Sequence, residues 1–256
     1  NAPVGWDNTP ANVMTTLPGW PVGTVCKAIR SHKFYLFAMD IAEGGGDFRN
    51  RVMWSDSADP GAFPGAWTPA IDNDAGFVDL AEDDAPVIDG GTLRDVFMIY
   101  KSRSTWRGQF VGGNAIFEFS ELFNNVGILN RNCWIEWETN HVLLTDSDVM
   151  MTDGHSITSI ADKRVRAFIN DNVDANNIVN AFVAHHLATN EIWICFPSVN
   201  EVECTQAAVW DYRNDTWGFR QVPRILHAAS GVIDDVTPAD TWDSTVGVWD
   251  INTQIW

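Results

Sequence analysis

Short apolar runs separated by polar, turn-forming stretches dominate this chain. Phe34-Tyr-Leu-Phe-Ala38, Val96-Phe-Met-Ile-Tyr100, Val142-Leu-Leu144 and Ile192-Trp-Ile194 are too short for core-crossing helices and read as buried strands. They begin at 34, 96, 142 and 192, at intervals of 62, 46 and 50 residues. The pattern is clearest from Ile178 to Val222. Ile178–Ala184 is β-rich, Thr189-Asn190 turns the chain, and Glu191–Pro197 returns, stopped by a proline that cannot donate to a ladder. Val199-Asn200-Glu201 turns again, Cys204–Asp211 makes a third strand and Trp217–Val222 a fourth. Four strands in about 45 residues is the unit of a β-propeller blade.

A near-repeat supports that unit. Val209-Trp210-Asp211 and Val248-Trp249-Asp250 are each followed by five residues and a tryptophan, Trp217 and Trp256. Val-Trp-Asp ends one strand, the polar stretch turns, and the final Trp opens the return. The pattern predicts an all-β chain with parts of about five blades, residues 1–256 forming part of one propeller-like domain. Periodic strands are equally compatible with a tandem sandwich. Trp193, Trp210 and Trp217 are expected between blades.

Two segments interrupt the rhythm. Residues 57–90, dense in Gly, Pro and Asp, read as an insertion. Around 160–170 the spacing turns helical: Ala161, Val165, Phe168 and Ile169 share a face, Ser159 is the expected cap, and Lys163, Arg164 and Arg166 make the opposite face basic. That face is either a solvated one or a contact for an acidic neighbouring subunit.

Composition adds large flat side chains, 13 Trp and 14 Phe, suited to filling gaps between twisted sheets. Cys26, Cys133, Cys195 and Cys204 show no C-x-x-C pair. Cys133 and Cys195 fall in apolar strand patterns and are expected as buried thiols, with a Cys195–Cys204 hairpin bridge as the alternative, and synthesis in a reducing cytoplasm fits better than secretion. No run of 18 apolar residues exists, so no membrane-spanning helix is predicted. The opening Asn1-Ala-Pro-Val-Gly-Trp-Asp is polar and turn-forming rather than leader-like. A start without Met and a stop at Trp256 lead to the expectation of a piece of a longer protein.

The formal net charge is −18, from 34 acidic and 16 basic residues, which argues against phosphate-neutralising DNA binding. No Lys or Arg lies between Arg51 and Arg94, where nine acidic residues fall, including Glu82-Asp83-Asp84. Either this is a solubility-giving surface or one that repels polyanions.

Candidate chemistry is sparse. Asp146, Asp148 and Asp153 offer oxygen ligands for Ca²⁺, but Asp153-Gly154 fits a hairpin turn equally well and the spacing misses the EF-hand. Ser57-x-Asp59-x-Gly61 is the front half of a sialidase Asp-box, and Phe63-Pro64 stands where Thr-Trp should follow. His185 and His186, adjacent on a strand, point to opposite faces. No nucleophile elbow, zinc helix or phosphate loop is present, so neither an enzyme nor a cofactor is expected.

Taken in order, several segments resemble the tail nozzle of short-tailed bacteriophages (podoviruses), also called tail tubular protein B or the tail hub. They are Arg51-Val-Met-Trp-Ser-Asp56 with Asp59-Pro60, Val96–Lys101, Arg107-Gly-Gln-Phe110, His141–Asp146 with Asp153-Gly154, Ser159-Ile160, Asn190-Glu-Ile-Trp193 and Val209-Trp-Asp211. They cover roughly residues 20 to 220, and the chain is short for a complete nozzle. The resemblance implies a structural virion protein without catalytic residues, a propeller-bearing subunit of a ring, sixfold in the family, that prolongs the portal channel for DNA ejection. It further implies portal-adaptor, tail or fibre proteins as partners, transient passage of double-stranded DNA, no membrane insertion, and assembly in the host bacterial cytoplasm into the virion tail. A conduit should hold DNA weakly, and acidic walls would serve it. Glu82, Asp83 and Asp84 are the expected channel or docking residues, replaceable by Lys without loss of folding. A secreted carbohydrate-binding or sialidase-like propeller and a kelch-like interaction propeller are the alternatives.

Overall fold

The computed structural model describes residues 2–6, 12–113 and 115–228. The second copy of the Val-Trp-Asp repeat, at 248–256, lies outside them. The described chain is mainly β. A small sheet pairs β1 (Val4–Gly5) with β2 (Thr15–Thr16), and four four-stranded antiparallel sheets follow in succession. The first holds β3 (Val25–His32), β4 (Tyr35–Glu43), β5 (Gly46–Trp54) and β6 (Gly76–Asp79). The second holds β7 (Val87–Leu93), β8 (Val96–Lys101), β9 (Ser104–Phe110) and β10 (Phe117–Asn124). The third holds β11 (Trp134–Trp137), β12 (Asn140–Leu144), β13 (Val149–Thr152) and β14 (Ile157–Ser159). After α1 (Lys163–Asn172) comes the fourth, with β15 (Phe182–His186), β16 (Glu191–Phe196), β17 (Cys204–Asp211) and β18 (Thr216–Ile225).

Each sheet is a meander in which every strand pairs with its sequence neighbour. The four apolar runs that set the sequence rhythm are β4, β8, β12 and β16, the second strand of each sheet. They read as continuous apolar runs because these interior strands bury both faces. In β8, Phe97 and Ile99 point into a core shared with the first sheet, while Met98 and Tyr100 point into one shared with the third. Phe37 of β4 stacks on Phe97 at 4.2 Å, and Trp137 of β11 meets Trp210 of β17 edge-on at 5.3 Å. A single apolar cluster joins the second, third and fourth sheets to α1.

The sequence-predicted turns of the fourth sheet fall where expected. Asn190 and Asn200 take left-handed backbone, φ 59° and 69°, which asparagine tolerates better than most residues. Val209-Trp210-Asp211 ends β17 and Trp217 lies at the start of β18, directly paired with Trp210.

Several expectations need correction. Residues 57–90 are not one irregular insertion. They supply β6 to the first sheet and the opening of β7 to the second, and the irregular stretch is the connection before Gly76. The strand near Ile178 starts instead at Phe182, because Ile178–Asn180 closes a 3₁₀ turn. Phe34 is an exposed turn residue rather than the start of β4. The helix is capped by Asp162, whose carboxylate accepts from the Val165 amide at 2.8 Å, while Ser159 ends β14. Trp193 does not join Trp210 between sheets: it pairs with Val209 and faces the other side of the fourth sheet. All four cysteines are free, so Cys195 and Cys204 form no bridge.

Candidate functional site

The first strands of all four sheets line one cavity of about 650 Å³, with Arg30, Thr92, Arg131, Trp134, Glu136 and His185 on its wall. A buried carboxylate ties three of those strands together. Asp89 of β7 accepts from Arg30 of β3 at 2.9 and 2.6 Å, from the Trp134 indole of β11 at 2.9 Å, and from its neighbour Gly90. These bonds use the lone-pair directions that a carboxylate offers. Beside it, Thr92 joins two histidines. Its hydroxyl donates to the Ser31 carbonyl and receives the His32 Nδ1–H at 2.9 Å, and its carbonyl accepts from His141 Nε2 at 2.9 Å. His141 Nδ1 then accepts from the Tyr100 hydroxyl at 2.7 Å. Burial pushes both imidazoles down to about 4, with Lys33 reinforcing the shift at His32.

Strand approach here is close enough to require glycine. A Cβ on Gly91 would lie 2.0 Å from the Trp134 ring, and one on Gly90 would lie 2.6 Å from the Met98 carbonyl oxygen. None of Arg30, Asp89, Thr92 or Trp134 was singled out from the sequence. The available signal was a charged residue inside the short pattern Val-Ile-Asp-Gly-Gly-Thr-Leu, which read as loop.

The acidic triplet divides between two environments. Glu82 and Asp84 are exposed, Asp84 pairing with Arg103 at 3.1 Å. Asp83 is structural. It holds the Lys101 ammonium, accepts from Ser104 at 2.6 Å and from the Ala85 amide at 2.8 Å. Burial raises its carboxyl, but the Lys101, Ser104 and Ala85 bonds outweigh that and leave it below the ordinary value. Lys101 itself is fully buried and also donates to the Leu80 and Asp83 carbonyls. Replacing all three acids by Lys would therefore set an ammonium against Lys101, contrary to the sequence expectation that folding survives.

The basic helix face is also partly engaged within the chain. Arg166 pairs with Asp148 at 3.1 Å, and Arg164 sits over the Phe219 ring and reaches the Trp217 carbonyl. Lys163 is exposed. The three candidate metal ligands do not converge. Asp146 and Asp148 lie before β13 and Asp153 after it, at opposite ends of a four-residue strand. Asp148 is committed to Arg166 and the Val149 amide. Asp153 caps its own turn, the Ser156 and His155 amides drawing its carboxyl down to about 2. Among the described residues no three His, Cys, Asp or Glu side chains group as metal ligands. Ser57–Gly61 lies in the irregular connection after β5. His185 and His186 do diverge, His185 toward Tyr212 and His186 toward Thr189.

No family model matches the chain, and no curated protein does either.

Proposed function

We propose that the four sheets are consecutive blades of a β-propeller, and that the chain is a structural subunit of a ring-shaped virion tail nozzle that guides DNA without catalysing any reaction. The observation that carries the propeller is the convergence of four successive first strands on one cavity, the position that inner blade strands hold around a propeller's central channel. The tail assignment rests on the ordered resemblance of segments between residues 20 and 220 and on the −18 charge. A cavity of about 650 Å³ has the size of a small-molecule pocket, so the DNA path belongs between subunits rather than through this one. Repeated around a ring, the acidic surface would repel phosphates and reduce the salt-dependent grip that passage must break.

Native mass measurement and negative-stain microscopy of the chain test this reading, together with gold-labelled antibodies against it on purified short-tailed virions. A sixfold ring and label at the tail tip are the expected outcomes. A strict monomer that labels no virion tail overturns the assignment.

A further inference from the structure

The fourth sheet carries an apolar groove of about 480 Å³ on the side away from the third, lined by Ala184, His186, Leu187, Trp193, Val222 and Ile225. Among the described residues the other sheet faces lie in shared cores, and the free side of the first sheet packs with Leu17, Trp20 and Trp67. At the groove, Phe182, Cys195, Ala207 and Val209 form a separate small core, and Leu187 stands 63% exposed at the rim. Ala228, where the described chain stops, lines the same groove.

The β17–β18 hairpin shows what the sequence V-W-D-x₅-W does when seated. Trp210 and Trp217 stack at 6.1 Å, and Trp210 and Tyr212 pack on Trp137 of the neighbouring sheet at 5.3 and 4.9 Å. Trp137 belongs to the last pair of the β11–β12 ladder, with Asn140. His186 holds the same place in the β15–β16 ladder, paired with Glu191, and Trp193 lies 6.3 Å from it. The receiving position therefore recurs on the fourth sheet. The near-repeat Val248–Trp256, which keeps both tryptophans and has Ile251 in place of Tyr212, follows Ala228 closely enough for an extended connection to reach any part of the groove.

We propose that residues 248–256 of the same chain dock in this groove, with Trp249 and Trp256 set against His186 and Trp193. The inference stands apart from the tail assignment. To test it, p-benzoylphenylalanine replaces Leu187 in the full chain, and equal parts of light and heavy-isotope chains are irradiated together. Mass spectrometry should find cross-links to the peptide containing 248–256 within single chains. Trp249→Ala with Trp256→Ala should reduce that cross-link by about tenfold or more, as expected when a packed aromatic pair is lost. Trp249→Phe serves as a milder variant, and circular dichroism checks that the β fold persists. Cross-links between light and heavy chains would assign the groove to a second copy. Either that outcome or cross-links that miss 248–256 overturns the proposal.

Discussion

Trp210 shows how much a single side chain can hold. It is buried between the third and fourth sheets, stacked on Trp217, edge-on to Trp137, with its indole donating to Asp215 at 3.0 Å. Trp210→Ala should cost about 3–5 kcal/mol, because the two sheets cannot collapse into the cavity. Urea midpoints measure this, and a loss below about 1 kcal/mol would place the indole outside the core. His141 makes a second residue-scale prediction. Burial pushes its folded imidazole down to about 4 from the ordinary 6.5. The unfolded chain therefore binds a proton at a higher pH than the folded one. Stability is fully present above about 6.5 and falls as pH drops toward about 4, by roughly 3 kcal/mol from this residue. His32 adds to the loss in the same window. Unfolding free energies across that range should show the decline, and His141→Asn should reduce its slope while leaving the His32 part.

Among the elements, the connection between β6 and β7 was the one most misread. Its acidic run Glu82-Asp83-Asp84, followed by Pro86, resembles a solvated loop, yet Lys101 anchors it from inside the second sheet through two carbonyls and the Asp83 carboxylate. Removing that ammonium in Lys101→Ala strands these acceptors. Asp83 keeps some access to water, so the cost should fall near the lower end for a broken buried pair, about 3 kcal/mol. Amide exchange should show the protection of residues 80–85 falling first. The helix was legible from its spacing, but its cap was not. Ser159 and Asp162 are both good N-cap residues, and the choice was made by where β14 ends, a consequence of its pairing with β13.

At the scale of the whole molecule, charge and architecture bear on function together. Glu82 and Asp84 are the members of the triplet that can be changed without disturbing Lys101. Glu82→Lys with Asp84→Lys moves the formal charge from −18 to −14, since each swap adds two positive units. Circular dichroism and melting temperature should stay unchanged. On the proposed tail-nozzle reading, virions carrying the variant should eject DNA more slowly or retain it if these residues line a channel. If they dock a neighbour, particle assembly should fail. Normal delivery from normal particles would leave a solvated connection between two sheets.

Sequence alone determined the class of the fold and its rhythm. Strands buried on both faces must be apolar throughout, so β4, β8, β12 and β16 announce themselves, and a hairpin such as Val209–Trp217 carries its own turn chemistry. The tertiary structure decided what those strands surround. Asp89 reads as a loop acid until β3 brings Arg30 and β11 brings Trp134 to it, and the two glycines beside it make sense only once a tryptophan from another sheet presses on them. The distinction is one of range. Alternation and turn preference act between residues a few positions apart, whereas a buried charge is stabilised by partners 45 and 59 residues distant, which no local pattern can announce.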